Sequence, residues 1–175
     1  MAAFSLQELE SMVTVGMGDY KVASGEEKLI TRDLGSCVGV AIRDPKTGVG
    51  GLLHVMLPEY DPNGYEASCF QDVNTVKYAD TGLDEMVRIL VKKGAEKKRL
   101  VAKIAGGAHM IMHPVMSECN DISAQNVRAV KRKLGELHIP VLAEEVGEHY
   151  PRTVVFEPSS GVMRIVTSGR EDRML

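Results

Sequence analysis

Two short runs of small and β-branched residues, turned back on each other at an Asp-Pro…Gly signal, constrain this chain more than any other feature. Leu34-Gly35-Ser36-Cys37-Val38-Gly39-Val40-Ala41-Ile42 leads into Arg43-Asp44-Pro45-Lys46-Thr47-Gly48, and Val49-Gly50-Gly51-Leu52-Leu53-His54 leads out. Such runs around Pro and Gly punctuation read as a β-hairpin. A turn centred between Pro45 and Lys46 makes Cys37 and His54 cross-strand partners, with Cβ atoms about 4.5–5.5 Å apart. That placement sets a nucleophile beside its base. Alternation groups Val38, Val40 and Ile42 with Val49 and Leu53 on an apolar face suited to a core. Cys37 shares the opposite face with Gly39, Ala41 and Gly50, and those small residues predict room for a substrate backbone. A one-residue slip would send the two side chains to opposite faces.

The length, 175 residues, predicts a single domain over 1–175 with a sizeable core. A net charge of −3 gives no basic footprint, so nucleic acid is not an expected partner. No apolar run approaches the roughly 20 residues of a membrane span, so membrane insertion is not expected either. The start, Met1-Ala2-Ala3-Phe4-Ser5-Leu6-Gln7-Glu8-Leu9-Glu10, lacks the cationic and apolar regions of a secretory leader and reads as a short amphipathic helix. The three cysteines, 37, 69 and 119, are odd in number and widely spaced, which suits a reducing cytoplasm and free thiols.

Elsewhere the chain alternates strand and helix signals. Residues 12–22 and 28–32 read as early strands, and 57–72 as irregular, with Pro58, Pro62, Asn63 and Gly64 marking loop. Leu83, Met86, Val87, Leu90 and Val91 recur at helical spacing, predicting a helix over 78–93 closed by Gly94. A buried strand over 99–105 ends at Gly106-Gly107. A second helix runs from Asp121 or Ser123 to Leu137, with Val127, Val130, Leu134 and Leu137 inward and Asn120 or Asp121 as cap. Strands over 140–146, 153–157 and 162–167 follow, the last two joined by a turn at 158–161. The order predicts an α+β sandwich of sheet and helix layers.

A Cys–His pair attacks an amide through the thiolate, forms a thioester with loss of amine or ammonia, and hydrolyses it with water activated by the same His. The oxyanion needs N–H donors, which Gly35, Ser36 and Cys37 can present at a loop-to-strand junction. Asp33 and Thr31 are both candidates to orient the imidazole. A carboxylate would hold the imidazolium by charge, whereas a hydroxyl would only orient it, and in that case a modest depression of the Cys37 pKa and slow turnover are expected. Gly106 and Gly107 serve as further wall residues of a substrate site or as a tight turn after a strand.

Leu29-Ile30-Thr31-Arg32-Asp33-Leu34-Gly35-Ser36-Cys37-Val38-Gly39-Val40, followed by Gly50-Gly51-Leu52-Leu53-His54-Val55-Met56-Leu57-Pro58, resembles the chemotaxis CheD family of chemoreceptor glutamine deamidases. Lys77-Tyr78-Ala79-Asp80 and Lys103-Ile104-Ala105-Gly106-Gly107-Ala108 extend the resemblance over nearly the whole chain. It implies a catalytic set of Cys37 as nucleophile, His54 as base and Thr31 as third member. It further implies no cofactor, a cytoplasmic setting, and two partners, the helices of methyl-accepting chemoreceptors and a CheC-type phosphatase. The alternative is a regulatory binding module for the same partners with weak or vestigial chemistry. Glu118-Cys119-Asn120 and Val146-Gly147-Glu148 depart from the family pattern, which has an Arg before the Asn and a Gly-Gly pair. His109 and His113 have a spacing that metal ligands can use, but Pro114 follows and no acidic residue is adjacent, so no metal site is expected. Thr47-Gly48-Val49-Gly50-Gly51 lacks the Gly-Lys-Ser/Thr ending of a P-loop.

Overall fold

Period-two runs dominate the chain, and two mixed five-stranded sheets result. The computed structural model describes residues 4–70, 72–110 and 121–175. The first sheet contains β1 (Met12–Thr14), β3 (Lys28–Leu34), β8 (Arg152–Phe156), β9 (Met163–Val166) and β10 (Arg173–Met174), in that order. The second runs β2 (Tyr20–Ala23), β5 (Gly50–Val55), β4 (Val38–Arg43), β6 (Val101–Gly106) and β7 (Val141–Val146). Helices α3 (Ala79–Lys92) and α4 (Ile122–Glu136) cover the outer face of the second sheet; α1 (Leu6–Glu10) and α2 (Tyr65–Cys69) are single turns at the periphery. The layers are therefore sheet, sheet, helices, an α+β sandwich as expected.

Each interface is apolar. Leu29, Leu34, Leu52, Val154, Phe156 and Ile165 fill the space between the sheets. Val38, Val40, Leu53, Leu83, Met86, Leu90, Val130 and Leu134 fill the space under the helices. The middle strands are consequently buried on both faces. This corrects one expectation: the small-residue face of the hairpin is not open to solvent but covered by the other sheet. A Cβ at Gly39 would lie 2.9 Å from Leu34 Cδ1 and 3.6 Å from Thr31 Cγ2. Gly39 is small so that β3 can approach. Across one edge, the buried Arg152 guanidinium bonds Glu145 at 3.2 Å and the Gly147 carbonyl at 2.9 Å, tying the two sheets together.

The hairpin register differs from the sequence reading by two residues. Gly39 opposes His54, and Val38 opposes Val55. Asp44 causes the shift. Its carboxylate accepts from Lys46 N–H at 2.9 Å, its carbonyl accepts from Gly48 N–H at 2.9 Å, and Gly48 takes φ +70°. The loop is thus longer than a two-residue turn at Pro45-Lys46. Arg99 and the Glu96 N–H also bond that carboxylate and hold it ionised well below the usual carboxylate range. A slip of two preserves parity, so Cys37 and His54 still share a face.

The helix boundaries agree with the sequence to within two residues, and α4 is capped by Asp121, which accepts from Ser123 N–H. Its buried residues are Ser123, Asn126, Ala129, Val130 and Leu134, so the inner stripe carries a polar pair that the apolar spacing did not reveal. Both long helices end in Schellman motifs. At α3, Ala95 N–H reaches Leu90 O at 3.0 Å and Gly94 supplies φ +99°. At α4, Ile139 N–H reaches Leu134 O at 2.9 Å, but the left-handed position is the exposed His138, φ +58°. His138→Gly is therefore expected to stabilise the protein by about 0.5–1 kcal/mol, left-handed strain relieved less the added chain entropy. A thermal melt rising by a few degrees checks it, and a fall would show that the His138 side chain matters more than its backbone.

Candidate active site

Thr31, Cys37 and His54 come from three strands or strand ends that the fold stacks at one edge of the sandwich. β3 would ordinarily direct residues 31 and 34 to opposite faces. A bulge at Arg32-Asp33 resets the alternation, and both Thr31 and Leu34 point inward. Asp33 at the bulge takes φ +58° and is exposed, with its carbonyl accepting from Gly35 N–H at 2.9 Å. Of the two candidates to orient the imidazole, the structure brings Thr31 to the ring and leaves Asp33 at the surface.

The bond from Thr31 decides the tautomer of His54. Thr31 Oγ1 lies 3.0 Å from the Val15 carbonyl and 2.8 Å from His54 Nδ1. A carbonyl can only accept, so the single hydroxyl proton goes to Val15. Thr31 then accepts from Nδ1–H, and Nε2 carries the free lone pair. Nε2 is buried and has no hydrogen-bond partner among the described residues. Val15 was not singled out by sequence reasoning, because a backbone carbonyl acting at a distance leaves no residue-type signal.

Burial pushes the His54 pKa down to about 4, against a small opposing pull from the Asp33 charge. The ring is a neutral base at physiological pH. The sign for stability follows: between pH 6.5 and 4 the unfolded chain takes up a proton that the folded chain refuses, so stability falls as pH drops through that window. Urea midpoints of the wild type should decline there by an amount corresponding to roughly 2–3 kcal/mol, and the decline should be smaller in His54→Asn. Parallel curves for the two proteins would exclude a buried neutral His54.

Cys37 sits in the bend just before β4, half-buried, on the same face as Gly39 and diagonal to His54 rather than directly opposite it. Burial raises the Cys37 pKa and a hydrogen bond from Ser36 lowers it, with burial the larger effect. The expected depression is not found. The resting site is a neutral thiol diagonal to a neutral imidazole, with no hydrogen bond from the thiol to Nε2, not a thiolate–imidazolium pair.

The surrounding loop is held by backbone bonds. The Cys37 carbonyl accepts from Gly107 N–H at 2.7 Å, and the Gly35 carbonyl accepts from Ala108 N–H at 2.7 Å. Gly106 and Gly107 take φ +114° and +64°, and a Cβ at Gly106 would lie 2.3 Å from the Cys37 oxygen. The pair thus forms the backbone seat under Cys37. Gly35 N–H is engaged by Asp33, whereas Ser36 and Cys37 N–H donate to no other backbone group among the described residues.

Known proteins are similar to this chain over most of its length. A family model described as CheD chemotactic sensory transduction matches residues 56–167. A protein of Lachnoclostridium phytofermentans named probable chemoreceptor glutamine deamidase CheD is 40% identical over 164 residues, covering 94% of this chain and 98% of the relative. One of Clostridium tetani with the same name is 42% identical over 156 residues, covering 89% and 90%. The chain belongs to the CheD family. The chemoreceptor glutamine deamidase CheD of Bacillus licheniformis is 37% identical over 166 residues, covering 94% and 96%. The full-length relatives, unlike the 56–167 match, extend over most of this chain.

CheD-family membership puts the two departures in context. Glu118-Cys119-Asn120 lies outside the described residues, as do His113 and Cys119. Glu148 takes φ +62° after Gly147 at +82°, a conformation that a Gly-Gly pair would adopt without strain. Its carbonyl accepts from His109 N–H at 2.7 Å. His109 pairs through Nδ1 with Asp121, and among the described residues no group of three potential ligands could hold a metal ion. Cys69 is an exposed free thiol.

Proposed function

We propose that this chain is a protein-glutamine deamidase that converts selected Gln side chains of methyl-accepting chemoreceptors to Glu, with Cys37 as nucleophile, His54 as general base and Thr31 orienting His54. The observation that carries the reading is the Val15–Thr31–His54 relay, which leaves a neutral Nε2 as a buried lone pair without a partner among the described residues. Such a base takes a thiol proton only as a bond forms to sulfur. Cys37 Sγ attacks the amide carbon of the substrate while its proton moves to Nε2. The oxyanion accepts from the Ser36 and Cys37 N–H groups. The imidazolium returns the proton to the departing nitrogen, and ammonia leaves. Water then attacks the thioester with Nε2 as base, the thiol is regenerated, and the product is a glutamate.

The substrate lies on an exposed helix, so the site must be reached from outside the sandwich edge. Met17 is 70% exposed and precedes Gly18, whose N–H donates to the His54 carbonyl at 3.1 Å. Met110 is 51% exposed and packs where a Cβ on Gly35 would lie. Adaptable methionines beside the site suit contact with a helix face. A CheC-type phosphatase is the second occupant of this face, on the family resemblance, and the cytoplasmic part of the receptor places the reaction in the cytoplasm. Among the described residues no helix is long and apolar enough to cross a membrane.

Incubation with a receptor cytoplasmic fragment tests the reading. Intact mass should rise by the amide-to-acid increment at discrete glutamines, with equimolar ammonia. Binding of the fragment without mass change would replace the enzyme by the regulatory module.

A further inference from the structure

The β4–β5 ladder stops at the pair Val38–Val55, one rung short of Cys37 and Met56. Beyond that point no backbone bond joins the two strands among the described residues, yet this is where Cys37 sits. A single side chain fills the gap. Asn126 of α4, fully buried, donates through Nδ2 to the Ser36 carbonyl at 3.0 Å and to the Met56 carbonyl at 2.9 Å. One acceptor precedes Cys37 by one residue, and the other follows His54 by two. Two carbonyl partners fix the orientation of the amide, since the flipped group would set its oxygen against both. Oδ1 is left buried without a partner among the described residues.

We propose that Asn126 is a positioning residue for the deamidation, its side-chain amide replacing the missing rung and setting the spacing between the Cys37 bend and the His54 strand. The inference rests on the assignment of Cys37 and His54 above. A packing role alone does not explain the choice of residue. An apolar side chain would fill the space but leave the Ser36 and Met56 carbonyls without their donor, so the residue is held for these two bonds at the cost of one orphaned acceptor. The rest of the α4 start supports the same loop. Ser123, one turn earlier on the same face, donates to the Ala108 carbonyl at 2.8 Å, and Ala108 in turn holds Gly35. Val127 occupies the space beside Gly107. Because Cys37 and His54 are diagonal, the separation of Sγ from Nε2 depends directly on the splay of the two strands.

The test compares Asn126→Ala and Asn126→Ser, each alone and combined with Thr31→Val, on the receptor fragment. Each single Asn126 variant should lower kcat by about 100-fold, the scale of an ångström-level misplacement, with KM within about threefold of wild type. In the Thr31→Val background the same change should cost under about threefold, because both residues act through one Cys–His alignment and their losses do not add. A kcat within threefold of wild type overturns the proposal. So do equal fractional losses in both backgrounds, which a general structural role would give. Loss of cooperative melting in both Asn126 variants assigns the residue to folding instead, and overturns it too. An inactive wild type refutes the deamidase reading, whereas an active wild type with unaffected Asn126 variants refutes only this inference.

Discussion

Cys37→Ala should abolish deamidation of the receptor fragment, a fall of about 10⁴-fold or more, while leaving fold and fragment binding intact. The effect is large because the reaction passes through a bond to the Cys37 sulfur, which alanine lacks. His54 Nε2 can activate water, but water attacking an amide directly loses the thioester route. The cost to stability is small, since Cys37 is only half-buried and alanine fits its place. Cys37→Ser should be nearly as inactive. A hydroxyl is harder to deprotonate than a thiol, and a base held down to about 4 is a weak acceptor. The resting thiol has its own signature. Peptide-resolved alkylation of Cys37 should climb with pH through and beyond the ordinary thiol range, because burial raises its pKa. A plateau of reactivity between pH 5 and 7 would mean a preformed thiolate pair. Retained mass conversion by Cys37→Ala would place the nucleophile elsewhere.

The sequence carried the chemistry more clearly than the geometry. Residue types around the hairpin single out Cys37 and His54, and the two still share a face because parity survives a two-residue slip. The register itself was lost because Asp44 organises its loop through bonds to Lys46, Gly48 and the distant Arg99, and the last of these is a tertiary contact. Period-two alternation told which residues share a face but not what covers it, so the inter-sheet contact of Gly39 with Leu34 and Thr31 read as open space. Residue types alone leave Thr31 and Asp33 both open, and only the family resemblance favours Thr31, because the β3 bulge that turns one inward and the other outward has no side-chain pattern of its own. Asn126 escaped notice for a related reason. A polar residue on an inward helical stripe breaks the apolar period, and its meaning lies in two carbonyls contributed by other elements. Helix spans, by contrast, were legible to within two residues, since apolar spacing, Asp121 and Gly94 are local signals.

The backbone under Cys37 should be as sensitive as Cys37 itself. Gly106→Ala is expected to destabilise the protein by about 3–5 kcal/mol, combining strain at a left-handed position with a clash against main chain. At φ +114° the new Cβ would lie 2.3 Å from the Cys37 oxygen and 3.2 Å from Val38 Cα, and neither is the flexible end of a side chain. Gly106 is paired with Val38 in β6 and its carbonyl accepts from Gly147 N–H at 3.0 Å, so it is held from both sides and cannot yield alone. The Cys37 carbonyl must move instead, and with it the bend that carries the thiol and the Ser36 and Cys37 N–H donors. A melting temperature lower by roughly 10 °C should therefore be accompanied by loss of activity in the fraction that remains folded. Gly94→Ala supplies the control. Gly94 has a similar positive φ, +99°, but a Cβ there meets open space far from the site. It should lose about 1–2 kcal/mol from backbone strain and keep its activity. Equal activity in the two variants, once corrected for the folded fraction, would show that the Cys37 seat is scaffold only. Activity lost in Gly106→Ala and kept in Gly94→Ala would tie the contact beneath Cys37 to the reaction.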